Sequence, residues 1–232
     1  MTLAHGATPP AGPPAGPPAV PPPPVPDPGT PSWRLLATLG GAGALAGLLL
    51  VTAWEWTTPT ITANRARVEQ AAVAEVLREP ARVDTLYLEN GALTRTPRGD
   101  AAKLERAYQG FDHAGVRVGV AIRGAEPGFS DVITVLIGFD PTTSQLLGMK
   151  VLGQKETPGL GDKIEKDSGF VGQFSEARAP LRAVKARGGQ DPTEVATITG
   201  ATISSRTVIR IINHAVERWQ PLLTRFDREP GQ

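Results

Sequence analysis

No cysteine occurs anywhere in the 232 residues. Disulfides, thiolate metal sites, iron–sulfur clusters and a cysteine nucleophile are therefore excluded. Histidine is scarce. His5, His113 and His214 are scattered without ligand spacing, and His113 and His214 read as surface or half-buried residues rather than metal ligands. An excess of one charge is missing too. With 24 basic and 23 acidic side chains the chain lacks the electrostatic footprint of a nucleic-acid binder. No dinucleotide fingerprint is present. No residue pair has the look of an acid–base or nucleophilic catalytic set.

What is present is unevenly distributed. Residues 1–31 hold 13 of the 23 prolines, and Asp27 is the one acidic or basic residue among them. Proline fixes φ and removes a donor, and few large apolar side chains are there to form a core. The stretch reads as a disordered, partly polyproline-II tail that acts as a spacer. Leu35 to Ala53 is 19 residues without a charge. As a helix it extends about 28 Å, close to a bilayer core. Trp33 on one side and Trp54 and Trp56 on the other match interfacial aromatics, giving a transmembrane helix over 33–56. Gly43, Gly47, Ala37 and Gly41 repeat a small-xxx-small spacing that lets another helix approach. Charge says little about orientation, with Arg34 before the span and Arg65 and Arg67 beyond it.

A connecting helix is expected over 60–80, with Ile61, Val68, Ala72, Val76 and Leu77 on one stripe and Pro80 as its end. From Val83 the period turns toward two. Strands are predicted at 83–88, 116–122, 131–139 and 146–152, with turns at Glu89-Asn90-Gly91 and Asp140 to Thr143. Residues 95–110 carry no clear pattern. A short helix over 164–174, a strand near 181–186 and a terminal helix over 204–223 follow. In the last, Val208, Ile211, Ile212, Ala215, Val216 and Trp219 share a stripe. The fold class is α+β: one N-terminal transmembrane helix, then a single domain over 81–225 with an antiparallel sheet and flanking helices.

Two motifs stand out. Glu156-Thr157-Pro158-Gly159-Leu160-Gly161 is a tight loop whose glycine amides and Thr157 can face a ligand. As turn chemistry alone it is ordinary. Thr199-Gly200-Ala201-Thr202 stands at the start of the terminal helix. Unpaired N–H groups and the helix dipole suit a phosphate there, and Gly200 permits close approach. An ordinary N-cap with surplus hydroxyls is the alternative.

Together, and in this order behind one N-terminal span, the motifs resemble the FMN-binding domain family. Within it they are similar to the G subunits of Rnf (Rsx) ion-translocating electron-transport complexes, and more distantly to the C subunits of sodium-translocating NADH:quinone reductases. The resemblance implies FMN attached covalently, through a phosphoester to Thr202 installed by a flavin transferase. Thr199, Gly200 and Ala201 complete the recognition sequence. Glu156 to Gly161 would pack by the isoalloxazine ring, with Thr157 and Leu160 as contacts. It further implies an electron-relay subunit of an ion-translocating oxidoreductase, with integral-membrane and redox subunits as partners. The flavin domain would lie on the periplasmic side of the bacterial inner membrane. The family pattern usually has an aspartate six residues before the modified threonine; here that position is Ala196. A stand-alone membrane-tethered flavin reductase and a non-redox protein-binding module are the alternatives.

Overall fold

The computed structural model describes residues 31–228; the proline-rich tail read over 1–31 lies almost entirely outside them. The described chain divides into two compact units, one ending at Trp56 and one starting at Thr57.

Helix α1 runs from Ser32 to Val76. Its Leu35–Ala53 segment exposes Leu36, Leu39, Leu48 and Leu50, and the helix is long and apolar enough to cross a membrane. The expected division into a span and a separate connecting helix is absent. One helix passes through Pro59, and Thr62 Oγ1 donates back to the Thr58 and Pro59 carbonyls. The predicted apolar stripe is also shorter than expected. Ile61 and Val68 are exposed, and only the last turns, at Ala72, Val73, Val76 and Leu77, are buried. The helix stops where Arg78 and Glu79 take positive φ and Glu79 N–H returns to the Ala74 carbonyl, ahead of Pro80.

Six antiparallel strands follow: β1 Arg82–Glu89, β2 Ala92–Thr94, β3 Glu105–Phe111, β4 Arg117–Pro127, β5 Val132–Phe139 and β6 Leu146–Gly153. They pair in the order β2-β1-β3-β4-β5-β6. The unbroken apolar run in β5 reflects cover on both faces. Leu136 packs with the end of α1, while Ile133, Val135, Ile137 and Phe139 join the main core. Strand β3 carries no periodic signal in the sequence because its buried positions are Ala107, Gln109 and Gly110 rather than large hydrophobes.

The predicted helix over 164–174 is broken. Helices α2 (Lys163–Lys166) and α3 (Ser168–Gly172) are separated by Asp167, whose extended backbone and carboxylate cap α3 at Phe170 N–H. Strands β7 (Arg182–Val184) and β8 (Glu194–Ala196) form a separate parallel pair. Helix α4, Thr202–Arg228, ends the described chain and lies against β4 and β5. All six of its predicted stripe residues are buried.

Candidate functional site

Glu156 builds the site from beneath. It is 5% exposed. Oε1 accepts from the amides of Phe129 and Ser130, each at 3.0 Å, and Oε2 accepts from Ser204 Oγ at 2.5 Å. One carboxylate therefore ties the β4–β5 turn, the 156–161 loop and the first turn of α4. Burial pushes its pKa up, but Ser204 and the Ser130 and Phe129 amides outweigh burial and hold it below the ordinary carboxylate range. The close fit depends on missing side chains. A Cβ on Gly128 would stand 2.5 Å from Glu156 Oε1, and one on Gly161 2.8 Å from Oε2.

Above this tie, Thr157, Pro158, Gly159 and Leu160 are exposed. Leu160 leans toward the second motif: a Cβ on Gly200 would meet its Cδ2 at 3.5 Å. Gly200 has φ of +84°, a left-handed conformation that favours glycine. The next bend is fixed internally. Ala201 N–H donates to the Ile198 carbonyl, and Ser205 Oγ donates to the Ala201 carbonyl while accepting from Ile198 N–H. Ala201 and Ser205 are buried, whereas Thr199 and Thr202 are exposed. Thr202 is the first residue of α4. Among the described residues, the amides of Thr202, Ile203 and Ser204 donate to no protein acceptor. They remain available to an anion at the positive end of a 27-residue helix.

The structure thus brings together Glu156, Leu160, Gly161 and Gly200 through direct approaches, with Ala201 and Thr202 following Gly200 in the chain. Of these, Glu156 faces inward. Reasoning on sequence missed Gly128, Phe129, Ser130 and Ile203. The Pro127-Gly128-Phe129-Ser130 turn signal, with its aromatic residue, was the available clue. Ala196, in place of the aspartate, lies in β8. Its N–H donates to Gln173 Oε1 and its carbonyl accepts from Gln173 Nε2. Asp162, just after the loop, is buried; Lys166 holds its Oδ2 at 2.7 Å and its pKa low, and Oδ1 meets no hydrogen-bond geometry with any of the described residues.

Residues 128–217 match the family model of the FMN-binding domain. The G subunit of the ion-translocating oxidoreductase complex of Vibrio vulnificus is 31% identical over 183 residues, covering 76% of this chain and 83% of that protein. This chain belongs to that G-subunit family. The corresponding G subunit of Methanosarcina acetivorans is 28% identical over 184 residues, covering 79% and 92% of the two chains. The fold of this chain is similar to that of NqrC of Shewanella oneidensis, with a TM-score of 0.62 and 20% identity, covering 72% of this chain and 99% of that one. The matched stretch starts at Gly128 and takes in the whole Glu156 tie, both motifs and the first turns of α4.

Proposed function

We propose that this chain is a membrane-anchored flavoprotein subunit that relays electrons through FMN in a complex coupling electron transfer to ion translocation. The FMN is carried covalently, as a phosphoester on Thr202. The observation that carries this is Thr202 itself: an exposed hydroxyl at the first position of α4, beside three unengaged amides and the Leu160 loop. The residues fit the group. A phosphodiester is an anion where the helix dipole favours one, and exposed apolar side chains lie beside it. Bound FMN supplies one- and two-electron chemistry. The chain supplies the anchor, the amide donors and a shallow surface open to a neighbouring subunit. Thr199, Gly200 and Ala201 form the sequence read by a flavin transferase, and Thr157 and Leu160 contact the ring. The partners are the integral-membrane and redox subunits of the complex. The anchor crosses the bacterial inner membrane once, with the flavin domain on the periplasmic side.

Intact mass after co-expression with a flavin transferase tests the attachment. An FMN-sized increment is expected in the native chain and absent in Thr202→Ala; its persistence in that variant would falsify the Thr202 assignment. The absence of native cysteine makes the orientation measurable. A single Ala114→Cys, in the exposed β3–β4 turn, should react with a membrane-impermeant maleimide from the periplasmic side of intact cells. Labelling only after lysis places the domain in the cytoplasm.

A further inference from the structure

Strand β4 outruns its neighbour. β3 pairs with it only as far as Ala107 against Ile122, whereas β4 continues to Pro127 with β5 alone beside it. The β4–β5 turn decides which backbone groups this leaves open. Gly128 N–H donates to the Asp131 carbonyl. Antiparallel alternation then directs the N–H and carbonyl of Gly124 and Glu126 at β5, and those of Ala125 at the open side. Among the described residues, no backbone bond joins the 101–104 turn, which leads into β3, to this edge. Pro127 closes it: the ring removes a donor, and its carbonyl accepts from Arg210 Nη2 at 3.3 Å. A cleft of about 480 Å³ lies along the edge, between that turn and α4. Its α4 wall runs from Ile211 to Trp219, away from Thr202. The charges around it are unevenly matched. Glu105 holds Arg218 at 2.9 Å, and Glu126 holds Arg210 and His214. Arg106 and Arg123 also line the cleft, and neither has a carboxylate partner among the described residues. The β3–β4 register continued by one step sets them side by side. Since Ala107 and Ile122 point into the main core, both arginines lie on the opposite face of the sheet. Like charges on neighbouring strands are destabilising until something neutralises them.

We infer that the open β4 edge is a docking site for an extended acidic segment of another subunit, which adds a short strand at Ala125 and sets a carboxylate against Arg106 and Arg123. This rests on the chain being a subunit of a larger complex. Two independent features meet at one place. An open strand edge is completed by a main-chain partner. An unmatched pair of guanidinium groups is completed by a carboxylate, which they can hold bidentately. A free anion would satisfy the arginines and leave the Ala125 N–H unpaired, and a lipid headgroup likewise offers no strand. Pro127 keeps the pairing short. A short pairing suits a segment already held nearby in the same complex, where its effective concentration is high, better than a peptide arriving from solution.

The experiment compares the full-length chain alone with the same chain co-purified with the membrane subunits of its complex, both in neutral detergent. Amide exchange across 123–127, read by mass spectrometry, should slow about 10-fold on assembly. A photoreactive p-benzoylphenylalanine placed at Ala125 should crosslink to a peptide of another subunit that contains Asp or Glu. Ala125→Pro removes the outward donor at a position that is not hydrogen-bonded to β5, and Arg123→Glu reverses one charge. Each should abolish the slowing while the far-UV circular dichroism of the chain alone stays native. If Ala125→Pro does not fold, Arg123→Glu decides. Assembly with unchanged exchange at 123–127, or a crosslink to a peptide without an acidic residue, would overturn the inference and leave the subunit reading standing. Failure of the native chain to assemble with any other subunit would overturn both. Binding to phosphatidylglycerol vesicles that is lost in Arg123→Glu, with exchange at 123–127 unaltered by assembly, would assign the arginines to a lipid surface and overturn the strand docking.

Discussion

At the residue scale, Glu156 is both the most constrained charge near the site and the residue that sequence reasoning assigned to the flavin. Truncating it in Glu156→Ala leaves the Phe129 and Ser130 amides and the Ser204 hydroxyl without their acceptor. We expect a loss of about 2–4 kcal/mol in urea unfolding. The pH dependence follows from the direction of its pKa. The folded value lies below the unfolded one, because the hydrogen bonds outweigh burial. Its stabilisation is therefore complete above the unfolded carboxylate pKa and is lost as pH falls through the folded value. Glu126 behaves alike: burial raises its pKa, but Arg210 and His214 outweigh that and lower it. The melting temperature of the native chain should drop on going from about pH 6 to pH 3, and Glu156→Gln should flatten that acid limb. An equally steep limb in the variant would show that the tie does not contribute. At Ala196 the test runs the other way. Restoring the carboxylate in Ala196→Asp should raise the flavinylated fraction at a fixed transferase level, read by intact mass. The positions of Thr202 and Gly200 at the start of α4 were legible because a hydroxyl and a glycine before an amphipathic run carry local rules, while attachment to Thr202 is implied only by the family resemblance. The inward turn of Glu156 was not legible, since it depends on Gly128 and Ser204, 28 residues upstream and 48 downstream.

At the element scale, legibility tracked side-chain size. Strand β5 and helix α4 announce themselves through large apolar residues at the right period. Strand β3 buries alanine, glutamine and glycine, and β8 is three residues long in a parallel pair, so neither leaves a periodic signal. The β7–β8 unit is held to α4 by a side chain instead. Asn213 Nδ2 donates to the Leu181 carbonyl at 2.9 Å while its Oδ1 accepts from Leu181 N–H at 2.6 Å. Asn213→Ala should cost about 1–3 kcal/mol. It should also speed amide exchange at Val195 and Ala196, because β8 is fastened chiefly through β7 and the Gln173 clamp. Unchanged exchange there would mean that the pair holds without α4.

At the scale of the whole molecule, a long helix and a compact domain divide the work of anchoring and of binding. The composition of Leu35–Ala53 made the first readable without any structure. The helix running on through Pro59 was not readable, since proline is ordinarily a break signal. A charge in the middle of the apolar segment should oppose insertion. Leu45→Arg carries a penalty of about 2.5–3.5 kcal/mol at a span centre, and the carbonate-resistant membrane fraction should fall accordingly. Full resistance in that variant would argue against a spanning role. The last helix offers a different use. Trp219, 2% exposed, is the single indole beyond residue 56, and it lies on α4, the helix that begins at Thr202. Seventeen residues of α-helix span about 26 Å. With FMN attached at Thr202 as proposed, the domain would contain an optical ruler: an indole donor and a yellow acceptor, mounted on one rigid rod. Loading the anchor should dim the Trp219 emission by energy transfer, so that maturation can be followed in real time by the chain's own light.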